Sequence, residues 1–559
     1  MTATAADAFT TEVVRHALDT VAEEMRTSLH RTAMTVAVKD MLDYSCALFD
    51  ARGRLLATAL DLPTLLASMG PALRAAIDKW GDEFAAGDVL MSNHPYQGGV
   101  HTSDINVFVP VFHGDALIAF AGTVAHHSDW GGRLPGTCSH SNLSVFEEGV
   151  MYPSVKLEEG GRPNRSLYDT IAANVRNPAL NLGDLRAQIA AARTGERGLL
   201  RIVEKYGSGA LTEVVEGLIA HAARRTRQEI AAMPDGVYEA EGFLDDDGVT
   251  RGEPVRIHVR ATIAGERIAI DLSGSAAQRS SGMNCPLSTT LSDVHYAVRC
   301  LMPADVPFNE GCLEPVTLTV PHGNLFNPRF PAATSDRHHT SQRLNDVLTR
   351  ALVQALPERG SAGWYVGWPA LICETQSPKT GDRAVLLAQV AGGAGANAVR
   401  DGADALDVHG ANCAIVPAET VEMNYALRVE RYQLRQDSGG AGLRRGGLGI
   451  RADYRILGDE EVFFIVEAEQ GDPRFAPPGL DGGAPGAVGG LVRIRDGVEE
   501  VMEGKTEFSG RPGDVVSMRA GGGGGIGDPR ARPHEAVADD VRRGLVSPSA
   551  AADDYGLSA

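Results

Sequence analysis

Hydrophobic residues recur at helical spacing near the start of the chain and at the two-residue spacing of β-strands further along. Over residues 9–38 the apolar side chains lie three and four positions apart, which predicts an amphipathic helix. A strand pair over 43–57 and a helix over 61–81 follow, and strands dominate 105–125. Further helices are predicted over 166–206, 211–232, 289–302 and 340–356, the first of them broken at Pro178 and Gly183.

Alternation of apolar and polar residues characterises the second half of the chain. Residues 255–274 alternate in the manner of β-hairpins, and beyond residue 360 the pattern predicts short strands, turns and a final helix. The polar turns over 234–248 are the best candidate for a boundary between lobes, and residues 531–559 are predicted to form a helical tail. We therefore expect an α+β fold with several lobes, a mixed N-terminal part and a strand-rich, glycine-rich second half.

Length and charge narrow the class of protein. The 559 residues are too many for one simple core, which supports two or three lobes. The net charge of −20 and the isoelectric point near 5.3 argue against nucleic acid or an anionic membrane as a partner, because both select a basic surface. Ordinary solubility accounts for the acidity.

Hydropathy and cysteine usage indicate the compartment. No apolar run approaches the roughly 18 residues that a membrane helix needs, and the N-terminus is an acidic amphipathic stretch unlike a signal peptide. The seven cysteines are odd in number, widely scattered and without a CxxC pair. This usage fits reduced thiols rather than a disulfide framework or a cysteine zinc site, so we expect a soluble cytoplasmic protein.

A polar stretch with two histidines stands directly before a predicted strand. It reads NHPYQGGVHTSD over residues 93–104, and the strand INVFVPVF follows it. After the turn HGD, the apolar run ALIAFAGTVAHH returns along the chain. This arrangement predicts a β-hairpin with a polar loop at its open end.

The register of this hairpin determines which polar residues meet. With the last two residues of HGD in the turn, His126 lies opposite Ser103. That position adjoins both His101 and Asp104, and antiparallel neighbours lie about 4.5–5.5 Å apart. The hairpin alone therefore brings two imidazoles and a carboxylate together, provided that the loop curls, and the glycine pair at 98–99 supplies that freedom.

Two imidazoles and one carboxylate form a ligand set suited to Mn, Fe or Zn, with open positions left for chemistry. A fourth donor is expected to be another carboxylate. The alternative is a polar surface loop with no metal. His127 and Asp129 lie just beyond the hairpin and are candidates for orienting a ligand or transferring a proton. For each of these two, a plain structural hydrogen bond is the alternative.

The glycine-rich stretches give little support for a nucleotide-binding site. AGGGGGIGDP at 520–529 lacks the Lys-Ser/Thr pair of a P-loop and a helix start in the right frame, which favours a closely packed backbone turn over nucleotide binding. DSGGAGLRRGGLG at 437–449 lacks the GxGxxG frame, and no G-x-S-x-G elbow is present. We therefore expect no ATP site in this chain.

Motifs in order along residues 8–556 resemble one known family. They are NHPYQGGVHTSD, AHHSDWGG, FEEGVMYPSVKL, NVRNPALNLGDLRAQIAA, DLSGSAAQRSSGMNC, PFNEGCLEPV, TSQR, LRQDSGGAGLRRGGLG and GGGGGIGDPRAR…VADDVRRGLVSPSAAADDYG. This set resembles the hydantoinase B family. The family includes the B-type chain of ATP-dependent N-methylhydantoinases, the C-terminal half of 5-oxoprolinase, and the α-type chains of acetone and acetophenone carboxylases. The resemblance implies a hydantoinase B-type domain over 8–530.

The resemblance also implies cofactors and a partner. In such enzymes a hydantoinase A-type partner binds ATP and Mg and phosphorylates the substrate, whereas the B-type chain contributes one divalent metal, expected here to be Mn, Zn or Fe. The metal centre of acetone carboxylase resembles a Glu, an H-x-x-D and a later His, and the matching positions here are Asp40, His101, Asp104 and His126. Asp40 stands where the family commonly has Glu. Many relatives also have a Gly-Asn-x-Glu-type stretch where this chain has residues 337–339, Arg-His-His.

The implied function is that of a metal-binding B-type chain in an ATP-dependent hydrolase that opens a cyclic amide such as a hydantoin or 5-oxoproline. Phosphorylation turns the poor electrophile of a lactam or imide into a good one. The alternative is a component of an ATP-dependent ketone carboxylase, which the chain length disfavours, and a third interpretation is a structural component with a vestigial metal loop. We expect a hetero-oligomer with at least two copies of each chain.

Overall fold

The computed structural model describes residues 8–59 and 61–557. Its α-helices are α1 (Ala8–Thr32), α2 (Val36–Lys39), α3 (Pro63–Trp80), α4 (Arg165–Asn174), α5 (Pro178–Tyr206), α6 (Ser208–Ala231), α7 (Leu287–Cys300), α8 (Arg337–Leu352), α9 (Ala418–Asn424), α10 (His534–Arg542) and α11 (Pro548–Asp553). In this part of the chain no helix is long and apolar enough to cross a lipid bilayer.

The strands fall into four sheets. They are β1 (Tyr44–Asp50), β2 (Leu55–Thr58), β3 (Val89–Ser92), β4 (Asp104–His113), β5 (Ala116–His126), β6 (Val155–Glu159), β7 (Arg162–Pro163), β8 (Gly236–Leu244), β9 (Val255–Ala264), β10 (Arg267–Asp271), β11 (Val316–Thr319), β12 (Ala370–Gln376), β13 (Arg383–Gln389), β14 (Leu427–Leu434), β15 (Ile450–Ile456), β16 (Val462–Glu467), β17 (Gly490–Arg495), β18 (Val498–Met502), β19 (Thr506–Gly510) and β20 (Val515–Arg519).

A seven-stranded sheet in the order β2-β1-β5-β4-β3-β6-β7 forms the N-terminal part. Helices α1, α5 and α6 cover one face, with Leu18 and Met25 in the buried cluster there. Helix α3 covers the other face through Leu65 and Met69. Because both faces are covered, β1 is buried along its whole length, which explains why these strands have continuous apolar runs in the sequence.

The β4–β5 hairpin differs by one residue from the predicted register. A β-bulge near Val111 inserts one extra residue into β5. Beyond the bulge the pairing is shifted, so His126 lies opposite Asp104 rather than Ser103. The predicted pairing with Ser103 was therefore wrong, and the two candidate donors face each other directly across the ladder.

The middle part packs helices on one side of a four-stranded sheet in the order β11-β10-β9-β8. Along β9, buried residues such as Ile257 and Val259 alternate with exposed residues such as Arg256 and Arg260. The buried face packs against α7 and α8 in one hydrophobic cluster. Because the other face is open to solvent, the sequence of this region shows clear alternation.

The C-terminal half contains two sheets around a shared core. Their strand orders are β13-β12-β16-β19 and β14-β15-β20-β17-β18. Leu371, Phe464, Tyr454 and Met518 belong to one buried cluster that joins the two sheets. This strand-rich half, together with the mixed N-terminal part, confirms the predicted α+β architecture.

Glycine-bearing segments between these strands pack against one another, and we call them the glycine layer; they are residues 392–396, 438–449, 478–487 and 520–527. The N–H of Gly523 donates to the carbonyl of Gly447 at 2.9 Å, and the N–H of Gly525 donates to Ala484 at 2.9 Å. A Cβ on Gly523 would lie 2.1 Å from the carbonyl oxygen of Ala394. Glycine is needed here because the backbones themselves are in contact.

Some helix details differ from the expectation. The first helix ends at Thr32 and a separate short helix follows it. The predicted break at Pro178 is confirmed, because α4 ends at Asn174 and Pro178 begins α5, the position where its missing N–H costs nothing. Gly183 lies inside α5, where a Cβ would meet the sulfur of Met34 at 2.1 Å, so this glycine permits close packing and does not break the helix.

The C-terminal helices α10 and α11 pack back on the glycine layer. Val537, Val546, Ala551 and Tyr555 form a small buried cluster with Ala441 of that layer.

Candidate metal centre

Three candidate donors meet at the open end of the β4–β5 hairpin. Asp104 begins β4 and His126 ends β5, while His101 lies in the preceding turn, where the N–H of Asp104 donates to the His101 carbonyl at 3.1 Å. This turn puts His101 and Asp104 on the same side of the hairpin. Gly98, at φ 88°, makes the expected curl of the loop.

The side chains converge on a single point. The His101 Nε2 atom lies 3.2 Å from His126 Nδ1 and 3.0 Å from Asp104 Oδ2. His126 Nδ1 lies 3.0 Å from Asp104 Oδ1. Donor atoms at about 2.0–2.2 Å from one ion are separated from each other by roughly 3–3.5 Å. The spacing and the chemistry of this set therefore fit a divalent transition metal.

Burial sets the protonation of the three groups. It lowers the pKa of His101 to about 4, which leaves that imidazole neutral with a lone pair to donate. Burial alone would raise the pKa of Asp104, but the attraction of His101 and hydrogen bonds from both imidazoles hold it well below its ordinary range. For His126, burial opposes protonation, but the hydrogen bond to Asp104 together with the attraction of the Asp43 and Asp104 carboxylates raises the pKa.

Two further side chains adjoin the donors. The Sγ atom of Cys138 lies 3.6 Å from His101 Nδ1, on the side of the ring away from Asp104. The guanidinium of Arg337 donates from Nη2 to Asp104 Oδ2 at 3.2 Å. Cys138 can thus fix the ring orientation of His101, and Arg337 offsets part of the buried negative charge.

Asp40 does not join this group. Three residues, His101, Asp104 and His126, form the cluster whose ligand atoms lie within 4.8 Å of one another. Asp40 ends the short helix α2 and is half-buried, with Lys39 and His30 as the charged groups that act on its pKa.

Asp43 is the carboxylate from that segment that reaches the site. It lines the cavity beside His101 and His126, and its backbone carbonyl accepts the N–H of His126 at 3.0 Å. Burial raises the pKa of Asp43 to about 6, against the attraction of His126. Leu42, at φ 60°, makes the turn that directs the chain inward at this point.

His127 and Asp129 lie behind the donors rather than in the cavity. His127 Nε2 lies 2.9 Å from Gln188 Oε1, and its ring packs edge-on against Trp130. The Asp129 carboxylate accepts the backbone N–H of Gly131 at 3.0 Å and forms an ion pair with Arg176 at 2.8 Å. Both side chains hold the loop after β5, and their part in proton transfer stays a prediction.

A cavity of about 50 Å³ opens beside the donors. Its polar side includes Asp43, His101, His126, Arg337 and His338, and its apolar wall includes Trp368, Ala370, Ile372 and Leu387. One wall can thus bind charge while the other accepts hydrocarbon.

The backbone around the cavity is strained. Leu42, Thr137, Trp368 and His409 all have positive φ, between 37° and 67°. Trp368 lines the cavity, and each of the other three directly precedes a residue that does. Conformations of this kind cost about 1–3 kcal/mol each and concentrate at functional sites.

A second donor cluster, which was not expected from the sequence, stands at the start of α8. Asp336, His338 and His339 offer ligand atoms within 4.8 Å of one another. His338 also lines the cavity next to His101 and His126. The adjacent histidines were visible in the sequence as a departure from the family pattern, but nothing there showed that the Asp336 carboxylate turns toward them.

Comparisons with known proteins agree over the whole chain. The family model described as Hydantoinase B/oxoprolinase matches residues 7–529. The B-type chain of a putative D-/L-hydantoinase of Pseudomonas sp. (strain NS671) is 33% identical, over 99% of this chain and 95% of that protein. The β-chain of the caprolactamase of Pseudomonas jessenii is 32% identical, over 99% of this chain and 96% of that protein.

Solved structures extend the similarity to the fold. The crystal structure of the ATP-dependent caprolactamase from Pseudomonas jessenii matches with a TM-score of 0.91 at 30% identity, covering 99% of this chain and 96% of that chain. A nucleotide-free structure of acetone carboxylase matches with a TM-score of 0.90 at 21% identity, over 98% and 79% of the two chains, and shows the fold alone. The resemblance seen in the sequence motifs is thereby confirmed, and the chain belongs to the hydantoinase B/oxoprolinase family.

Proposed function

We propose that this chain is the metal-binding B-type component of an ATP-dependent hydrolase that opens a cyclic amide, such as a hydantoin, 5-oxoproline or a related lactam. The observation that carries the proposal is the buried convergence of His101, Asp104 and His126 beside a half-apolar cavity. This site lies on a chain whose relatives, over nearly their full length, are named as components of a hydantoinase and a caprolactamase.

One divalent ion, Mn, Zn or Fe, would be held by His101, Asp104 and His126. Asp43 takes the place of Asp40 as the fourth candidate donor, because it lines the same cavity. Such an ion supplies Lewis-acid polarisation of a carbonyl and activation of water. The protein's own part is to keep His101 neutral by burial and to hold its ring against Cys138.

The remaining cavity residues orient the substrate. Arg337 is the cationic side chain on the polar wall, and its buried Nε atom has no hydrogen-bond partner among the described residues. It suits the anionic oxygen of a phosphorylated amide. Trp368, Ile372 and Leu387 provide an apolar surface for ring methylenes. Because ligand pockets usually measure about 300–1,000 Å³, the cavity must widen when a cyclic amide enters.

ATP and Mg would bind to a separate hydantoinase A-type partner. The glycine stretch at 520–527 has its backbone N–H groups occupied, since those of Gly523, Gly524 and Gly525 donate to carbonyls of neighbouring segments. A phosphate loop needs free N–H groups. This occupancy supports a partner that supplies the nucleotide. The proposed complex contains at least two copies of each chain.

The decisive experiment measures ATP turnover and product formation by the complex of this chain with its A-type partner. We expect ATP hydrolysis coupled to ring opening with a hydantoin, 5-oxoproline or a lactam. The complex carrying His101→Ala should assemble normally and form no product. A variant that assembles and keeps full activity would instead favour a purely structural role for this chain.

A ketone carboxylase is the second candidate, because the sequence motifs also resemble the α-type chains of acetone and acetophenone carboxylases. The same assay separates the two candidates when acetone or acetophenone with bicarbonate replaces the cyclic amide. Product formation that depends strictly on bicarbonate would overturn the hydrolase proposal.

A further inference from the structure

The side chain of Asp336, the residue before α8, does not form the hydrogen bond that is usual at its position. Asp336 occupies the N-cap of this helix, where an aspartate carboxylate normally accepts a backbone N–H of the first turn. Its side chain makes no such bond. The carboxylate instead faces two histidines, with Oδ1 lying 3.2 Å from His338 Nδ1 and 3.1 Å from His339 Nδ1. The Asp336 carboxylate thus contacts two imidazoles and does not cap the helix.

Hydrogen bonding alone leaves this cluster unsatisfied. Both imidazoles converge on one carboxylate oxygen, and their ring centroids lie only 4.0 Å apart. Within the described residues, Asp336 Oδ2, His338 Nε2 and His339 Nε2 are buried and have no hydrogen-bond partner. Each buried polar atom without a partner costs about 1–3 kcal/mol, so three of them in one cluster favour a site built to bind a ligand.

The surrounding charge favours a cation. Asp336 is fully buried, and its Oδ2 atom has no hydrogen-bond partner among the described residues. Two cationic side chains act on the cluster, and both are already paired: Arg337 with Asp104 in the donor set of the hairpin, and Lys505 with Glu469. The cluster therefore contains a buried negative charge whose ion-pair partners, in the described part of the chain, are the two histidines.

We propose that Asp336, His338 and His339 bind a second divalent transition-metal ion, separate from the ion at His101, Asp104 and His126. One carboxylate and two imidazoles are the ligand chemistry of Zn²⁺, Mn²⁺ and Co²⁺. His338 lines the cavity beside His101 and His126, so the second ion lies next to the first. The site does not depend on which reaction the enzyme performs.

Metal content per chain tests this proposal. The full-length chain is stripped with a chelator, reloaded separately with Mn²⁺, Zn²⁺ or Co²⁺, freed of unbound metal and analysed by mass spectrometry of the metal. We expect two equivalents in the wild type and one in Asp336→Asn, His338→Ala or His339→Ala. The Co²⁺ absorption spectrum of these variants should lose the bands of one of the two sites.

Matched controls separate the two ions. His101→Ala should lose the first ion and keep the second, and the double variant His101→Ala/His339→Ala should bind none. His295→Ala removes another buried histidine, whose Nδ1 has no hydrogen-bond partner within the described residues and which belongs to neither cluster, and should keep two equivalents. If His339→Ala folds poorly, His339→Gln retains most of the side-chain volume and serves in its place.

Two results would overturn the proposal. The first is a wild-type content of one equivalent that is unchanged in the Asp336, His338 and His339 variants. The second is a single equivalent that is lost from both sets of variants, because one shared ion would then account for all six residues. The proposed function fails in a different way, namely if His101→Ala retains the full metal content of the wild type.

Discussion

The donor hairpin and the glycine layer come from sequence stretches that look alike, since both are glycine-containing polar loops between apolar runs. In the hairpin, strand pairing aims side chains at a common point, and His101, Asp104 and His126 meet within 3.2 Å. In the glycine layer the absence of side chains lets backbones meet, as where a Cβ on Gly446 would lie 1.9 Å from the Gly523 oxygen.

This difference indicates that the side chains of the hairpin serve chemistry, whereas the glycines of the layer serve packing. A change of side chain in the hairpin should abolish function and leave most of the fold, because strand pairing does not need the imidazoles. Adding a side chain to the glycine layer should destroy the fold, because rigid backbone cannot move aside. Substitutions in the two regions test this difference, and the largest effect is expected in the glycine layer.

Gly523→Ala should prevent stable folding. The new methyl group would lie 2.1 Å from the Ala394 carbonyl oxygen, and overlap with backbone is not relieved by a rotamer change. We expect a destabilisation of more than about 4 kcal/mol, seen as loss of soluble protein or a large fall in the unfolding midpoint. Gly490→Ala is the matched control, because no atom lies within 4 Å of its Cβ position. Equal stability of the two variants would contradict the packing role.

Asp104→Asn should remove function while the protein remains folded. The substitution keeps the shape and removes the charge that balances a divalent ion. Metal occupancy should fall by more than an order of magnitude and product formation by more than about 100-fold, beyond what changes behind the ligands cause. Metal analysis and turnover of the complex measure both, and the metal-free variant should unfold cooperatively like the metal-free wild type. Normal occupancy in this variant would remove Asp104 from the ligand set.

Asp293→Asn should flatten the dependence of stability on pH. Burial raises the pKa of Asp293 to about 7, although Ser341 and Asn345 donate hydrogen bonds to it. The folded chain therefore retains a proton that the unfolded chain releases near pH 4. As the pH rises from about 4 to 7, this group progressively lowers the free energy of unfolding. Denaturant titrations at pH 5, 6.5 and 8 measure this effect. Between pH 5 and 8 the free energy of unfolding of the wild type should fall by on the order of 2 kcal/mol more than that of the variant. If the stability of the wild type and of the variant depended on pH in the same way, the raised pKa of Asp293 would be contradicted.

Asp43 and Asp40 should differ in their effect on the metal. Asp43 lines the cavity, whereas Asp40 lies at the end of α2 among other charged groups. We expect Asp43→Asn to weaken metal binding about 10-fold and Asp40→Asn to leave it unchanged. Competition of each variant with a calibrated chelator gives the two affinities. A larger effect at Asp40 would restore the ligand set that the family resemblance implied.

Gly217→Ala should slightly stabilise the protein, in contrast to the glycine layer. Gly217 is exposed inside α6, and no atom lies within 4 Å of its Cβ position. Alanine is favoured over glycine in such a position by about 1 kcal/mol. A small rise in the unfolding midpoint is expected. A fall would show that this glycine also has a packing role.

The sequence was sufficient where local rules fix the structure. The hairpin donors could be predicted because strand pairing brings residues together at known spacing, although the bulge near Val111 displaced His126 by one partner. The sequence could not show that Asp43, rather than Asp40, lines the cavity. The choice between them depends on the turn at Leu42, and no sequence pattern predicts the positive φ of that residue. The contacts of Asp336 depend on where α8 begins, and that boundary lay three residues earlier than predicted.

The glycine layer has a consequence for how such an enzyme can change over time. Any single-base change that replaces a glycine adds at least a methyl group, and at Gly523, Gly446 or Gly393 that group would overlap backbone oxygen within about 2 Å. This part of the protein therefore offers almost no viable variants. A change in substrate choice therefore has to arise outside the glycine layer, at side chains that line the cavity, such as Trp368, Ile372 and Leu387.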